Sequence, residues 1–100
     1  MKTTLKTIDI IALEWWHKAN VNHYFAGTVS TNYGMIDSQM FLLPFQYGYG
    51  SHYIDQAFKL LKDQGVIKTA NTILWRYCEE NNIILRYTKH ENCKKRELID

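Results

Sequence analysis

Gly48, Gly50 and Ser51 are the residues whose types and spacing first suggest chemistry. They lie in the run Gln46-Tyr47-Gly48-Tyr49-Gly50-Ser51-His52-Tyr53, where an apolar extended stretch gives way to a helical pattern. Glycine permits positive φ and close approach of another group. A helix that starts just after such a pair presents unpaired amides that suit an anion. The spacing is incomplete for a nucleotide. A dinucleotide fingerprint needs a third glycine where Tyr53 stands, and the phosphate-loop lysine is absent. Ser51 sits in Gly-Tyr-Gly-Ser-His and not in Gly-x-Ser-x-Gly, so it is no nucleophile elbow. The corner has two uses left: packing a helix against the preceding strand, or weak anion binding by Gly48, Gly50 and Ser51.

The other reactive side chains do not assemble into a set. His17, His23, His52 and His90 have no ligand partner three or four residues away on a helix, and Cys78 and Cys93 belong to no Cys-x-x-Cys pair. Zinc sites show clustered ligands, so neither a metal nor any cofactor is expected. Asp9 and Glu14 fall on opposite faces of a strand and cannot act together. The chain is therefore read as a non-enzyme. Cys78 lies on an apolar helical stripe and reads as core, whereas Cys93 lies in a polar, basic segment. The start, Met1-Lys2-Thr3-Thr4-Leu5-Lys6, lacks the apolar stretch of a signal peptide. No run approaches the ~20 apolar residues that span a membrane. Both observations lead to the expectation of reduced thiols in a cytoplasm.

Binding chemistry is better represented. Aromatics make up 14% of the 100 residues, and seven are tyrosines. A small core has difficulty hiding that many rings, and a tyrosine hydroxyl needs water or a partner. Trp15 and Trp16 are adjacent, so on a strand they point to opposite faces. If one enters the core, the other is either exposed or covered by a helix or the C-terminal segment. The net charge of +2 is too small to imply nucleic acid by itself, yet Arg86, Lys89, Lys94, Lys95 and Arg96 face only Glu91 over their stretch. That stretch is either a solvated tail or a basic patch. The candidate partner contacts are Trp16, Tyr47, Tyr49, Tyr53, Lys94, Lys95 and Arg96.

The elements that would position these residues follow from periodicity. Residues 7–16 are rich in isoleucine and leucine on both alternating faces; a helix is the rival reading, but the β-branched content and short length favour an interior strand covered at least partly on both sides. Residues 24–31 predict a second strand, with Phe25, Gly27 and Val29 or Tyr24, Ala26 and Thr28 turned inward. Asn32-Tyr33-Gly34 is a turn signal. Residues 39–45 predict a third strand, whose Pro44 belongs at an edge or terminus. Ser51 is a plausible N-cap. Ile54, Ala57, Phe58 and Leu61 then form one helical face, and Gly65 suits the position past the helix end. A second helix over 71–80 ends at Asn81-Asn82, and residues 83–88 predict a last strand. The order β-β-β-α-α-β places the single domain, residues 1–100, in the α+β class: an antiparallel sheet of about four strands with two helices on one face.

The run Tyr47-Gly48-Tyr49-Gly50-Ser51-His52-Tyr53 before a helix, Trp75-Arg76-Tyr77-Cys78-Glu79-Glu80-Asn81-Asn82, and the ending Lys94-Lys95-Arg96-Glu97-Leu98 together resemble small bacteriophage- and prophage-encoded accessory proteins of unknown function. The resemblance implies a mobile-element protein in a bacterial cytoplasm and carries no catalytic residue. By analogy it suggests stoichiometric inhibition of a host defence protein or nucleoprotein, as anti-CRISPR proteins act. The alternative is a nucleic-acid-binding protein that stacks aromatic rings on bases and tracks phosphates with its basic end. A small-ligand domain built on Gly48 and Gly50 is a third, lesser alternative. Two unpaired sheet edges also leave a homodimer open.

Overall fold

Stretches rich in β-branched and aromatic residues form the strands, and Asn32-Tyr33-Gly34 lies in the turn between the second and third. The computed structural model describes residues 5–17, 22–48 and 50–99. In chain order the elements are β1 (Thr7–His17), β2 (Asn22–Thr31), β3 (Gln39–Tyr47), α1 (His52–Asp63), α2 (Leu74–Glu80), β4 (Ile84–His90) and α3 (Lys95–Ile99). The first three strands form the expected antiparallel meander. β4 adds beyond β1, giving the order β3-β2-β1-β4 in an α+β domain. β4 runs parallel to β1, so the sheet is mixed and not wholly antiparallel. The cause is the connection: a parallel neighbour needs a long crossover, and the α1–α2 segment supplies it.

The register sorts side chains between two faces, because directly paired residues share a face. Ile8, Ile10 and Ala12 of β1 pair with Thr31, Val29 and Gly27 of β2. With Phe25 and Leu43 they pack against Ala57, Phe58 and Leu61 of α1 and Leu74 and Cys78 of α2. The opposite set, Ile11, Leu13 and Trp15 with Thr28, Ala26 and Tyr24, faces away from those helices. β1 is therefore central in the sheet but fully covered on one side only. Among the described residues the helix on the other side is α3, a helix of five residues that no periodicity signalled. Lys95 of α3 lies 5.4 Å over the Trp15 ring, which fixes α3 to the C-terminal end of β1 on that second face.

Both longer helices stop where the sequence places a residue tolerant of positive φ. Gly65 has φ +75°, and Asn82 has φ +56°. In α1 the Val66 amide donates to Leu61 and the Gly65 amide to Lys62; in α2 the Ile83 amide donates to Cys78 and the Asn82 amide to Glu79. These are paired bonds of the Schellman type. α2 starts at Leu74, later than the expected 71, because the Asn71 carbonyl accepts from Lys62 Nζ and its amide donates to Thr69.

Asn32 is the buried pin of the meander. Its Oδ1 accepts from the amides of Lys6 (2.6 Å) and Thr7 (3.3 Å), and its own amide donates to the Thr7 carbonyl. Its φ of +51° is one that asparagine tolerates better than alanine. Asn32→Ala is expected to cost about 2–4 kcal/mol, from the lost acceptor and the left-handed backbone. Asn32→Gly keeps the backbone and is expected to cost less. Urea unfolding of the two variants checks the order.

Candidate functional site

The sheet face left open by α1 and α2 carries four of the exposed large apolar side chains; others, such as Trp75 and Tyr87, lie elsewhere. Alternation on β3 brings Met40 and Leu42 to this face beside Ser30 and Thr28, and an irregularity in the register past Leu43 returns Tyr47 to it beside Tyr24. Ile11 lies at its centre, on β1. These four side chains are 67%, 74%, 61% and 48% exposed for Met40, Leu42, Tyr47 and Ile11 respectively. Single exposed apolar residues are ordinary, but several turned to the same uncovered sheet face make that face a candidate interaction surface.

Toward the β1 C-terminus the same face carries a cluster of rings. Trp15 lies 5.5 Å from Tyr24 and 6.3 Å from Phe45, and Tyr24 and Phe45 are stacked at 5.2 Å. Tyr47 meets Tyr24 edge-on at 5.9 Å. Trp15, Tyr24 and Phe45 are half-buried by one another and by α3. Two cations near the face have neighbours. Arg86 makes a two-pronged pair with Asp9, at 2.6 and 3.0 Å, and Lys95 lies over Trp15.

The expected contact residues divide. Tyr47 belongs to the open face. Trp16 points to the opposite side of the sheet, yet it is 44% exposed and stacks on His23 at the rim. Neither tryptophan enters the core: Trp15 is covered by the C-terminal helix, and Trp16 lies beyond the helices. Tyr49 lies outside the described residues. Tyr53 is corrected: it is only 6% exposed and belongs to the core with Ala57 and Leu61. Positions 53, 57 and 61 fall at four-residue spacing on one helix face, and Ile54 is left half-buried beside them. Burial pushes the Tyr53 hydroxyl pKa up, while nearby Lys89 pulls it down. Lys94, Lys95 and Arg96 are exposed around α3, and the Lys94 amide is capped by Glu97.

The glycine corner is a packing device. The Gly48 amide donates to the His23 carbonyl, so it is not offered to an anion. A Cβ on Gly48 would stand 2.7 Å from the Phe25 ring. The Ser51 hydroxyl makes no capping bond, and the nearest cation, Lys89, is held by the Gly50 carbonyl at 3.2 Å. Gly48 thus serves packing between β3 and α1, and its amide is not available to an anion.

One polar cluster is buried beneath that corner. Glu14, on the covered face of β1, is 6% exposed. Its carboxylate lies 3.1 Å from Lys89 Nζ and 3.4 Å from His23 Nδ1. Lys89 also reaches Glu91 at 3.6 Å. The cluster joins β1, β2, β4 and the Gly50 corner, and spacing could not have revealed it because Glu14 and Lys89 are far apart in the chain. Among the described residues no group of three metal-ligating side chains gathers, and no helix is long and apolar enough to cross a membrane.

The two thiols differ as the sequence implies. Burial pushes the Cys78 thiol up to about 11. Its protonated form stabilises the fold fully below the ordinary thiol value near 9, and that contribution is lost as pH rises toward 11. Cys93 is half-buried, with its thiol donating to the His90 carbonyl. A maleimide near neutral pH is expected to label Cys93 in the native chain and Cys78 only after denaturation. Mass spectrometry of the labelled peptides checks this.

Comparison with known proteins finds no match to a family model, a curated protein or a solved structure.

Proposed function

We propose that this chain is a binding protein that engages another protein through the open sheet face, with Ile11 and Tyr47 in contact and Trp16 on a separate rim. The observation that carries this reading is the exposure of Ile11, Met40, Leu42 and Tyr47 on one sheet face that α1 and α2 do not cover. Ile11, Met40 and Leu42 exclude water against a protein but offer no ring for a nucleobase, which leaves Tyr47 as the exposed ring of this set. The half-buried rings pack mainly on one another. Arg86 is paired with Asp9, so it does not extend a cationic track for phosphates. These features favour a protein partner over single-stranded nucleic acid.

The setting comes from the resemblance to phage-encoded accessory proteins. On that basis the partner is a host protein or nucleoprotein in a bacterial cytoplasm, inhibited by stoichiometric contact in the anti-CRISPR manner.

The experiment is affinity capture from a bacterial lysate, followed by titration of the captured protein against wild type and Tyr47→Ala. Tyrosine anchors contribute through large apolar area at small rotamer cost. Tyr47→Ala is expected to weaken binding by about 1–3 kcal/mol with the fold intact. Equal affinity for both chains would remove this face from the account. A gel shift with single-stranded DNA that falls steeply with salt would favour the nucleic-acid alternative.

A further inference from the structure

The outer edge of β3 is a second feature; it shares Met40 and Leu42 with the open face but is argued from backbone groups, and Ile11 and Tyr47 lie outside it. The hydrogen-bond phase fixes which groups it presents. The Asn32 amide bonds to Thr7 of β1, and the His23 carbonyl accepts from Gly48 after β3. Even-numbered residues of β2 therefore turn their backbone groups toward β1, and odd-numbered ones toward β3. Across β3 the paired residues Gln39, Phe41 and Leu43 bond to Thr31, Val29 and Gly27. Met40 and Leu42, between them, direct their N–H and C=O groups away from the sheet.

Edge strands are ordinarily guarded by lysines, prolines or bulges. β3 has no charged residue along its length. Its C-terminal half is closed by Pro44, which has no N–H and whose carbonyl accepts from Gln46 Nε2. The half from Gln39 to Leu43 carries no such guard. The opposite edge, β4, bears Arg86, Lys89 and His90, charged or polar side chains of the kind that guard an edge.

We infer that β3 pairs antiparallel with β3 of a second copy across a two-fold axis at Phe41, forming a continuous eight-stranded sheet. The unguarded segment is symmetric about Phe41. In that register Met40 lies opposite Leu42 of the second copy, and each pair exchanges two N–H···O=C bonds. The exposed Met40 and Leu42 side chains then form cross-strand apolar pairs on the open face. The exposed Tyr33–Ile36 turn of each copy comes alongside the Tyr47 end of the other strand. A heterologous extended peptide would satisfy the same backbone groups, but it would lack this self-matching register.

Sedimentation equilibrium and residue-resolved amide exchange test the pairing. At millimolar chain concentration a dimer is expected, with exchange at Met40 and Leu42 slowed by at least about tenfold relative to dilute protein. Phe41 and Leu43 should be protected at both concentrations. Met40→Lys/Leu42→Lys is expected to leave a folded monomer, and Met40→Lys/Leu42→Glu to restore the dimer by setting lysine opposite glutamate. A chain that stays monomeric would overturn the inference. So would a dimer with unprotected Met40 and Leu42 amides, which would be joined face to face, or a lysine–glutamate variant that fails to reassociate.

Discussion

Replacing Ile11 with aspartate is expected to leave a folded chain that binds its partner at least about 100-fold more weakly. Ile11 is on the central strand, at the middle of the open face, with Thr28 beside it on β2. Half of its side chain already meets water, so a carboxylate there stays solvated in the free protein and costs the fold little. In a complex the same carboxylate would be stripped of water against apolar surface without a cation to meet it. An unpaired charge in a dry interface costs several kcal/mol. Circular dichroism confirms the fold, and titration against the captured partner measures the loss. Retained affinity would show that the partner docks elsewhere, with the Trp16 rim the next surface to test.

Glu14→Ala is expected to destabilise the fold by about 3–5 kcal/mol, the cost of leaving a buried charge without its partner. The Lys89 side chain is 16% exposed and the Glu14 side chain 8%, so the ammonium cannot simply rejoin the solvent. It would retain the Gly50 carbonyl and Glu91 at the rim. The total stability of a domain this size is only about 5–15 kcal/mol, so the urea midpoint should fall sharply. The double variant Glu14→Leu/Lys89→Met removes both charges and is expected to recover most of the loss, since an apolar pair can replace a buried ion pair. A single-variant cost below about 1 kcal/mol would class the pair with surface salt bridges.

The sequence made the meander legible because each of its features is local. The β-branched runs marked three strands, Asn32 marked the first tight turn, and Gly65 and Asn82 marked the ends of α1 and α2. The parallel setting of β4 depends on where a two-helix connection crosses the sheet, and no residue in β4 encodes that. The open face was obscured because both alternating sets of β1 and β3 are apolar. Met40 and Leu42 on one side look much like Phe41 and Leu43 on the other. Tyr53 was misplaced by counting the α1 stripe from Ile54, when spacing of four from Leu61 through Ala57 leads back to position 53. Lys95 was read as a free contact, whereas it lies over Trp15, a pairing set by a five-residue helix too short to show a period.

The central claim is that the open sheet face, and not the helical side, meets the partner. Photocrosslinking from p-benzoylphenylalanine placed at Ile11, with a second probe at exposed Lys59 on α1, tests it most directly. The account predicts a heterologous protein adduct from position 11 and none from position 59. An adduct from position 59 with none from position 11 would contradict it.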